Sequence, residues 1–487
     1  MKKSPIMFVG TGSDVGKSII TTGICRILKQ DGYHPAPFKA QNMSLNSFVT
    51  PEGLEIGRAQ AVQAEACGIA CKSNMNPVLL KPTSQKSAQI VLHGKPVGNQ
   101  TASDYFLGND RDNLFKECKK AFDSLAKEYH PIVMEGAGSI SELNLKHRDI
   151  VNMRMAKYAN ACVYLIADID KGGVFASVYG TIQLLEKWER DLIKGIIINK
   201  FRGDINLFKT GRTKIEELTG IPVIGVVPYA ADIYIEDEDS VALSQKREFA
   251  VQEKINIAVV LLPHISNYTD FNLLERDDRV HLFYSKNAEE VEKADIIILP
   301  GTKNTIADLQ FLRVSGIAKS VLKAFDAHKK VIGICGGYQM MGKEVSDPFG
   351  VESDIITIPG LGLLPIKTTL AEEKTTIQQE FTFKNFDEKC NGYEIHMGTS
   401  ITNKPSPLLQ INKQNEGYLL SENCWGSYMH GIFDNQVVID DLLGSVSKRE
   451  MKNYKEFKEE NFDKLADLLR DCLDIEKIYL QTTLTND

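Results

Sequence analysis

No apolar run in this 487-residue chain approaches the roughly 20 residues that a membrane-crossing helix needs. There is no internal repeat and no low-complexity tract. Surplus positive charge is also missing. The net charge of -7 argues against nonspecific binding to nucleic acid or to an anionic membrane. The nine cysteines are scattered, and although Cys67 and Cys71 stand one helical turn apart, no second pair completes a metal site. Free thiols in a reducing cytoplasm are therefore expected. Met1-Lys-Lys-Ser-Pro5 leads straight into a strand-like run and is not expected to be a signal peptide. What is present is ordinary for a globular protein: 43% hydrophobic and 25% charged residues. The length exceeds one ordinary core, so two or three domains are expected.

Two local patterns carry chemistry. The first is Gly333-Ile-Cys335-Gly-Gly-Tyr-Gln339. Val331–Ile334 reads as a short buried strand, Cys335 follows at once, and Tyr338 onward reads as a helix start. A sharp strand-to-helix turn needs small neighbours and turns its central side chain outward, and a helix N-terminus just after the sulfur favours the thiolate. A free cysteine is most often an inert core residue. The strand-Cys-Gly-Gly context reverses that expectation and makes Cys335 a candidate nucleophile. Its candidate base is His430 in Gly426-Ser-Tyr-Met-His-Gly-Ile-Phe433.

The second pattern opens the chain. Ile6–Val9 reads as a strand and Ile19–Leu28 as a helix, with Gly10-Thr11-Gly12-Ser-Asp-Val-Gly16-Lys17-Ser18 between them. Glycines let backbone N–H groups cradle phosphate, Lys17 neutralises its charge, and Ser18 can hold Mg²⁺. ATP and Mg²⁺ are the expected cofactors. The interval from Gly10 to Gly16 is one residue longer than the usual phosphate loop.

Near-continuous apolar runs at 131–134, 161–166, 195–198 and 222–227 are those of parallel strands buried on both faces. The expected architecture is α/β, with two doubly wound domains. The expected boundaries are 1–230 for a phosphate-loop domain, 231–254 for a charged linker, 255–436 for the thiol domain and 437–487 for a helical appendage.

On these motifs the thiol domain resembles the class I glutamine amidotransferases, in which a cysteine forms a glutamyl thioester and releases ammonia. The resemblance implies an oxyanion hole at Gly301 and Gly336. Most of that class carries a glutamate two residues after the histidine; here that position is Ile432, as in the corrinoid amidases, where a Cys–His dyad is thought to suffice. The long phosphate loop resembles that of the dethiobiotin synthetase group, which implies that Glu135 in Met134-Glu-Gly-Ala-Gly138 holds Mg²⁺ together with Ser18. Asp168 is a weaker metal candidate, with helix capping as the other reading.

Further stretches narrow the family. They include Lys39-Ala-Gln41-Asn42-Met-Ser44-Leu-Asn46-Ser47, Glu55-Ile-Gly-Arg58 through Glu65, Met75–Pro82, Ala167–Ala176 and Leu262-Pro-His-Ile-Ser-Asn-Tyr-Thr-Asp-Phe271. With Gly392-Tyr-Glu-Ile-His396-Met-Gly398 they resemble the cobyric acid synthases over residues 4 to 435. That family implies ATP- and glutamine-dependent amidation of the b, d, e and g carboxylates of adenosylcobyrinic acid a,c-diamide. The alternatives are a cobyrinic acid a,c-diamide synthase and a P-loop regulatory ATPase. Lys39, Gln41, Asn42, Ser44 and Asn46 are expected at the acceptor site. His396 competes with His430 as base, with His430 preferred, and Trp188 and Trp425 are expected to pack and not to face the corrin. The partners are small molecules only, and the oligomeric state is left open.

Overall fold

The computed structural model describes residues 3–83, 87–101, 111–230, 232–236, 247–412, 414–444 and 454–483. The apolar runs of the first half form a six-stranded, wholly parallel sheet. Its order is Val223–Pro228, Ile193–Phe201, Cys162–Asp168, Ile6–Gly10, Ile132–Glu135 and Ala36–Phe38. Ile6–Gly10 is central and fully buried, as a strand with helices on both faces must be. Its C-terminal end opens into the phosphate loop and the helix Lys17–Gln30. The connection from Ala36–Phe38 to Ile132–Glu135 carries a second, four-stranded sheet, Gln41–Met43, Val78–Pro82, Ser87–Leu92 and Lys95–Thr101.

The second half repeats the plan. Five parallel strands, Val280–Ser285, Ile255–Val260, Ile296–Leu299, Lys330–Ile334 and Cys424–Ser427, are edged by antiparallel Tyr418–Ser421. Beside them lies a seven-stranded sheet dominated by the long antiparallel pair Lys367–Phe383 and Lys389–Ile401. This pair reaches the first domain, where Gln378 Nε2 donates to Val49 O (2.6 Å).

Part of the segment expected as a linker, residues 231 and 237–246, lies outside the described residues, as do 445–453 and 484–487. After the helix Gln436–Leu443, which packs in the second core, the chain returns to the first. The helix Tyr454–Cys472 lays Phe462, Leu465 and Leu469 on the helix Lys17–Gln30, whose Gly23 lets them approach closely. Arg26 anchors the pair by ion pairs to Glu459 (2.7 Å) and Asp463 (2.6 Å). The charged C-terminal helices are thus a layer of the first domain.

Candidate active site

The phosphate loop is a backbone cradle. A Cβ at Gly10 would stand 2.8 Å from Gly12 O and 3.0 Å from Lys17 Nζ, so only glycine leaves the space open. Lys17 Nζ donates to Gly12 O (2.9 Å) and Gly138 O (3.1 Å), which holds the ammonium over the loop. Beyond it, three side chains converge on the buried Glu135. Ser18 Oγ and Lys39 Nζ each reach Oε1 at 2.9 Å, and Gln63 Nε2 donates to Oε2 at 2.6 Å. Gln63 Oε1 is buried with no hydrogen-bond partner.

This cluster opens on a cavity of about 1300 Å³, whose wall includes Lys39, Gln41, Asn42, Arg111, Arg154 and Trp188. The remaining acceptor candidates lie elsewhere. Ser44 and Asn46 are buried, outside this wall, and tied to each other: Asn46 N donates to Ser44 Oγ (3.0 Å). Asn46 Oδ1 accepts from Tyr268 N in the second domain (3.2 Å). Their polarity satisfies the backbone at a domain contact and does not face the cavity. Asp168 is likewise occupied. Its Oδ1 accepts from Asp170 N (2.8 Å) and its Oδ2 lies 2.9 Å from Lys200 Nζ in an ion pair. Trp425 is core, as expected, but Trp188 stands half-buried at the cavity wall, with the Lys157 ammonium 4.5 Å from its ring centroid.

In the second domain Cys335 sits at the turn between Lys330–Ile334 and the helix Gly336–Met341, with φ 51° and ψ -111°. That strained backbone is held because the helix presses on the next strand: a Cβ at Gly337 would lie 1.9 Å from Leu299 O. His430 and Cys335 line the same cleft, where the Cys335 sulfur also reaches Ile395 O (3.5 Å). Gly301 lies against the ring, where an added Cβ would be 3.0 Å from His430 Cε1. Gly336 faces Thr302, the residue after Gly301.

Beyond the dyad that the resemblance implies, the structure gives His430 a third partner: Asp270 Oδ2 is 2.6 Å from His430 Nδ1, and Asp270 Oδ1 accepts from Gly431 N (3.0 Å). Burial pulls the imidazolium down, but the Asp270 carboxylate and the Cys335 sulfur outweigh it and hold His430 at about 10. Asp270 stands in the short 3₁₀ turn Tyr268–Phe271, so it supplies from another segment the carboxylate missing at Ile432. His396 has both nitrogens engaged, Nε2 with Glu394 (3.1 Å) and Nδ1 with Gly398 O (3.0 Å).

The small cleft at Cys335, about 40 Å³, is lined partly by the first domain, through Lys81. Lys81 reaches Glu55 at 2.6 Å, and Lys374 of the second domain pairs with the other oxygen of the same carboxylate. This buried triplet spans the two domains. Burial drives Lys374 down to about 7, against the pull of Glu55, and Lys303 down to about 8. Burial also raises Glu352 to about 7, although it accepts from Thr305 N (2.6 Å).

A phosphate-loop domain and a thiol domain in contact define a glutamine-dependent amide ligase. Residues 6–241 match the CobQ/CobB/MinD/ParA nucleotide binding domain, and residues 256–438 match the CobB/CobQ-like glutamine amidotransferase domain. Curated relatives include a cobyric acid synthase of Parabacteroides distasonis, 58% identical over 98% of both chains. Those of Bacteroides fragilis and Lachnoclostridium phytofermentans are 56% and 47% identical, over 99% and 98% of this chain and 99% of each relative. The chain belongs to the cobyric acid synthase family. No described helix is long and apolar enough to cross a membrane.

Proposed function

We propose that this chain amidates the b, d, e and g carboxylates of adenosylcobyrinic acid a,c-diamide, using ATP and glutamine, to give cobyric acid. The observation that carries this reading is the pairing, in one chain, of a phosphate cradle opening on a cavity of about 1300 Å³ with a separate Cys335–His430–Asp270 site. A cavity of that size, walled by Lys39, Arg111, Arg154 and Trp188, suits a large ring that bears carboxylates and amides.

In the thiol site Cys335 Sγ attacks the side-chain amide carbon of glutamine. The N–H groups at Gly336 and Gly301 receive the oxyanion, and His430 delivers its proton to the departing nitrogen. Ammonia and a glutamyl thioester result, and water then releases glutamate. Asp270 keeps His430 in the right tautomer and stabilises its charged form. In the synthetase site a corrin carboxylate oxygen attacks the γ-phosphorus of ATP and ADP leaves. Ammonia then attacks the acyl carbon of the acyl phosphate, and inorganic phosphate departs. Lys17 and the loop amides Gly10–Ser18, with Thr11 and Gly12 among them, bind the moving phosphoryl charge.

Mg²⁺ fits the same pocket. Ser18 Oγ and Glu135 are hard oxygen donors lining the cavity beside the cradle, and Mg²⁺ is held by one or two carboxylates together with substrate phosphates. Bound there, it would neutralise charge on the phosphates. Lys39 and Gln63 orient Glu135 for that role.

The test is mass spectrometry of products formed from the a,c-diamide with ATP, Mg²⁺ and glutamine. Four added amides, with partly amidated intermediates, are expected. Better turnover of unamidated cobyrinic acid, stopping after two amides, would reassign the chain to the diamide synthases.

A further inference from the structure

We infer that the glutaminase site is completed by the other domain: Asn46, Ser47 and Phe48 of the synthetase half are positioning residues for His430 and Asp270. The inference rests on the proposed roles of Cys335 and His430. Two sets of contacts converge on the base from the same short segment.

The first set holds the turn that carries Asp270. Asn46 Oδ1 accepts from Tyr268 N (3.2 Å), and Ser47 O accepts from Asn267 Nδ2 (3.1 Å). Asn267 is the residue in a left-handed conformation, φ 51°, from which the turn Tyr268–Phe271 starts. Its side chain also donates to Tyr393 OH (3.1 Å). The position of the Asp270 carboxylate, and so of the 2.6 Å bond to His430 Nδ1, is set by a turn pinned from the synthetase half.

The second set holds the ring itself. Tyr393 stacks on His430 with centroids 5.4 Å apart and planes 21° from parallel. Behind Tyr393 stands Phe48, edge-on at 4.9 Å, and behind Phe48 the Arg58 guanidinium at 4.6 Å from its centroid. Arg58 is itself fixed by a buried ion pair to Glu236 (2.5 Å). Phe48 also joins Val49, Tyr393 and Ile395 in a small apolar cluster that crosses the domain boundary. An aromatic pair of this geometry restricts both rings, and a positioning error near 1 Å is enough to cost about a hundredfold in rate.

Removing Phe48 therefore loosens His430 without touching glutamine, ATP or corrin. In the full-length chain, Phe48→Ala is expected to lower kcat for glutamine hydrolysis at least about tenfold, with KM for glutamine within about threefold. Amidation driven by ammonium should persist, which shows that the variant is folded and its synthetase site intact. Phe48→Tyr keeps the ring and should restore glutaminase turnover. Asn46→Ala should lower glutaminase kcat in the same way, by releasing the turn.

Unchanged glutaminase kcat in both alanine variants would overturn the inference. So would a fall in ammonium-driven amidation equal to the fall in glutaminase, since that places the segment in the synthetase site. Failure of Phe48→Tyr to restore turnover would refute the ring-positioning role. The underlying reading is tested separately: glutamine hydrolysis surviving Cys335→Ala would remove the base-and-nucleophile assignment itself.

Discussion

Asp270→Asn removes the carboxylate beside His430 and keeps a side chain of the same shape. His430 rises from the usual 6.5 to about 10 although burial works against it. At 1.36 kcal/mol per unit, that is a net preference of roughly 5 kcal/mol for the imidazolium. Asp270 is the larger of the two attractions that produce it, ahead of the Cys335 sulfur. About half the preference, on the order of 2–3 kcal/mol, is then the least that the substitution takes away. Opening a buried charged pair on one side costs about 3–5 kcal/mol. Glutaminase kcat/KM should accordingly fall between about a hundredfold and a few thousandfold. The assay is glutamate release with glutamine alone, beside ammonium-driven amidation, which should be preserved. The pH profile gives a second readout. Without the carboxylate the imidazolium loses its proton more easily, so the alkaline limb of glutaminase activity moves to lower pH. A fall of less than about threefold with an unmoved limb would refute the reasoning, because a bond of 2.6 Å between buried groups cannot be silent if it sets the state of the base.

Cys335→Ala should abolish glutamine-driven amidation and leave activity at high ammonium, measured as amide products by mass spectrometry; loss of both in a folded chain would contradict two separate sites. Lys17→Ala should lose amidation with either nitrogen source, and a rate above about a tenth of the original would remove Lys17 from the phosphoryl site. Glu55→Gln strands the Lys81 ammonium in the interface and should destabilise the chain by about 3–5 kcal/mol in denaturant titration. Lys374→Met leaves the Lys81–Glu55 pair matched and should cost far less. Lys374 falls from 10.5 to about 7 on folding, so between those values the unfolded chain binds the extra proton and stability rises with pH. Lys374→Met should flatten that rise, and an unchanged slope in thermal melts from pH 7 to 10 would count against a buried, depressed lysine.

Both nucleotide and thiol loops are legible in sequence for the same reason: strand, turn and helix are adjacent, so the geometry of Ile6–Gln30 and of Lys330–Met341 is local. The buried parallel strands are legible because burial on both faces leaves unbroken apolar runs. Asp270 was not, although Leu262–Phe271 stood out as a stretch. It acts across 160 residues, on a four-residue turn with no periodicity, and only the gap at Ile432 hinted that a carboxylate must come from elsewhere. The long strands Lys367–Phe383 and Lys389–Ile401 were hidden by composition, since much of their length is polar on both faces and lacks the alternation that marks a half-buried strand.

The segment from Lys39 to Val49 shows why composition alone could not apportion its polar side chains. Its first residues serve the phosphate site: Lys39 reaches Glu135, and Gln41 and Asn42 line the cavity. Its last residues leave that site and enter the other domain: Asn46 and Ser47 bond to the Asp270 turn, Phe48 backs Tyr393, and Val49 O accepts from Gln378. Amides and hydroxyls stand at both ends, on the cavity wall at one and against buried backbone groups at the other. A run of Asn, Ser and Gln looks the same for either purpose. What separates the two is the turn at Ser44, whose hydroxyl bonds within the segment and redirects the chain from one site toward the other.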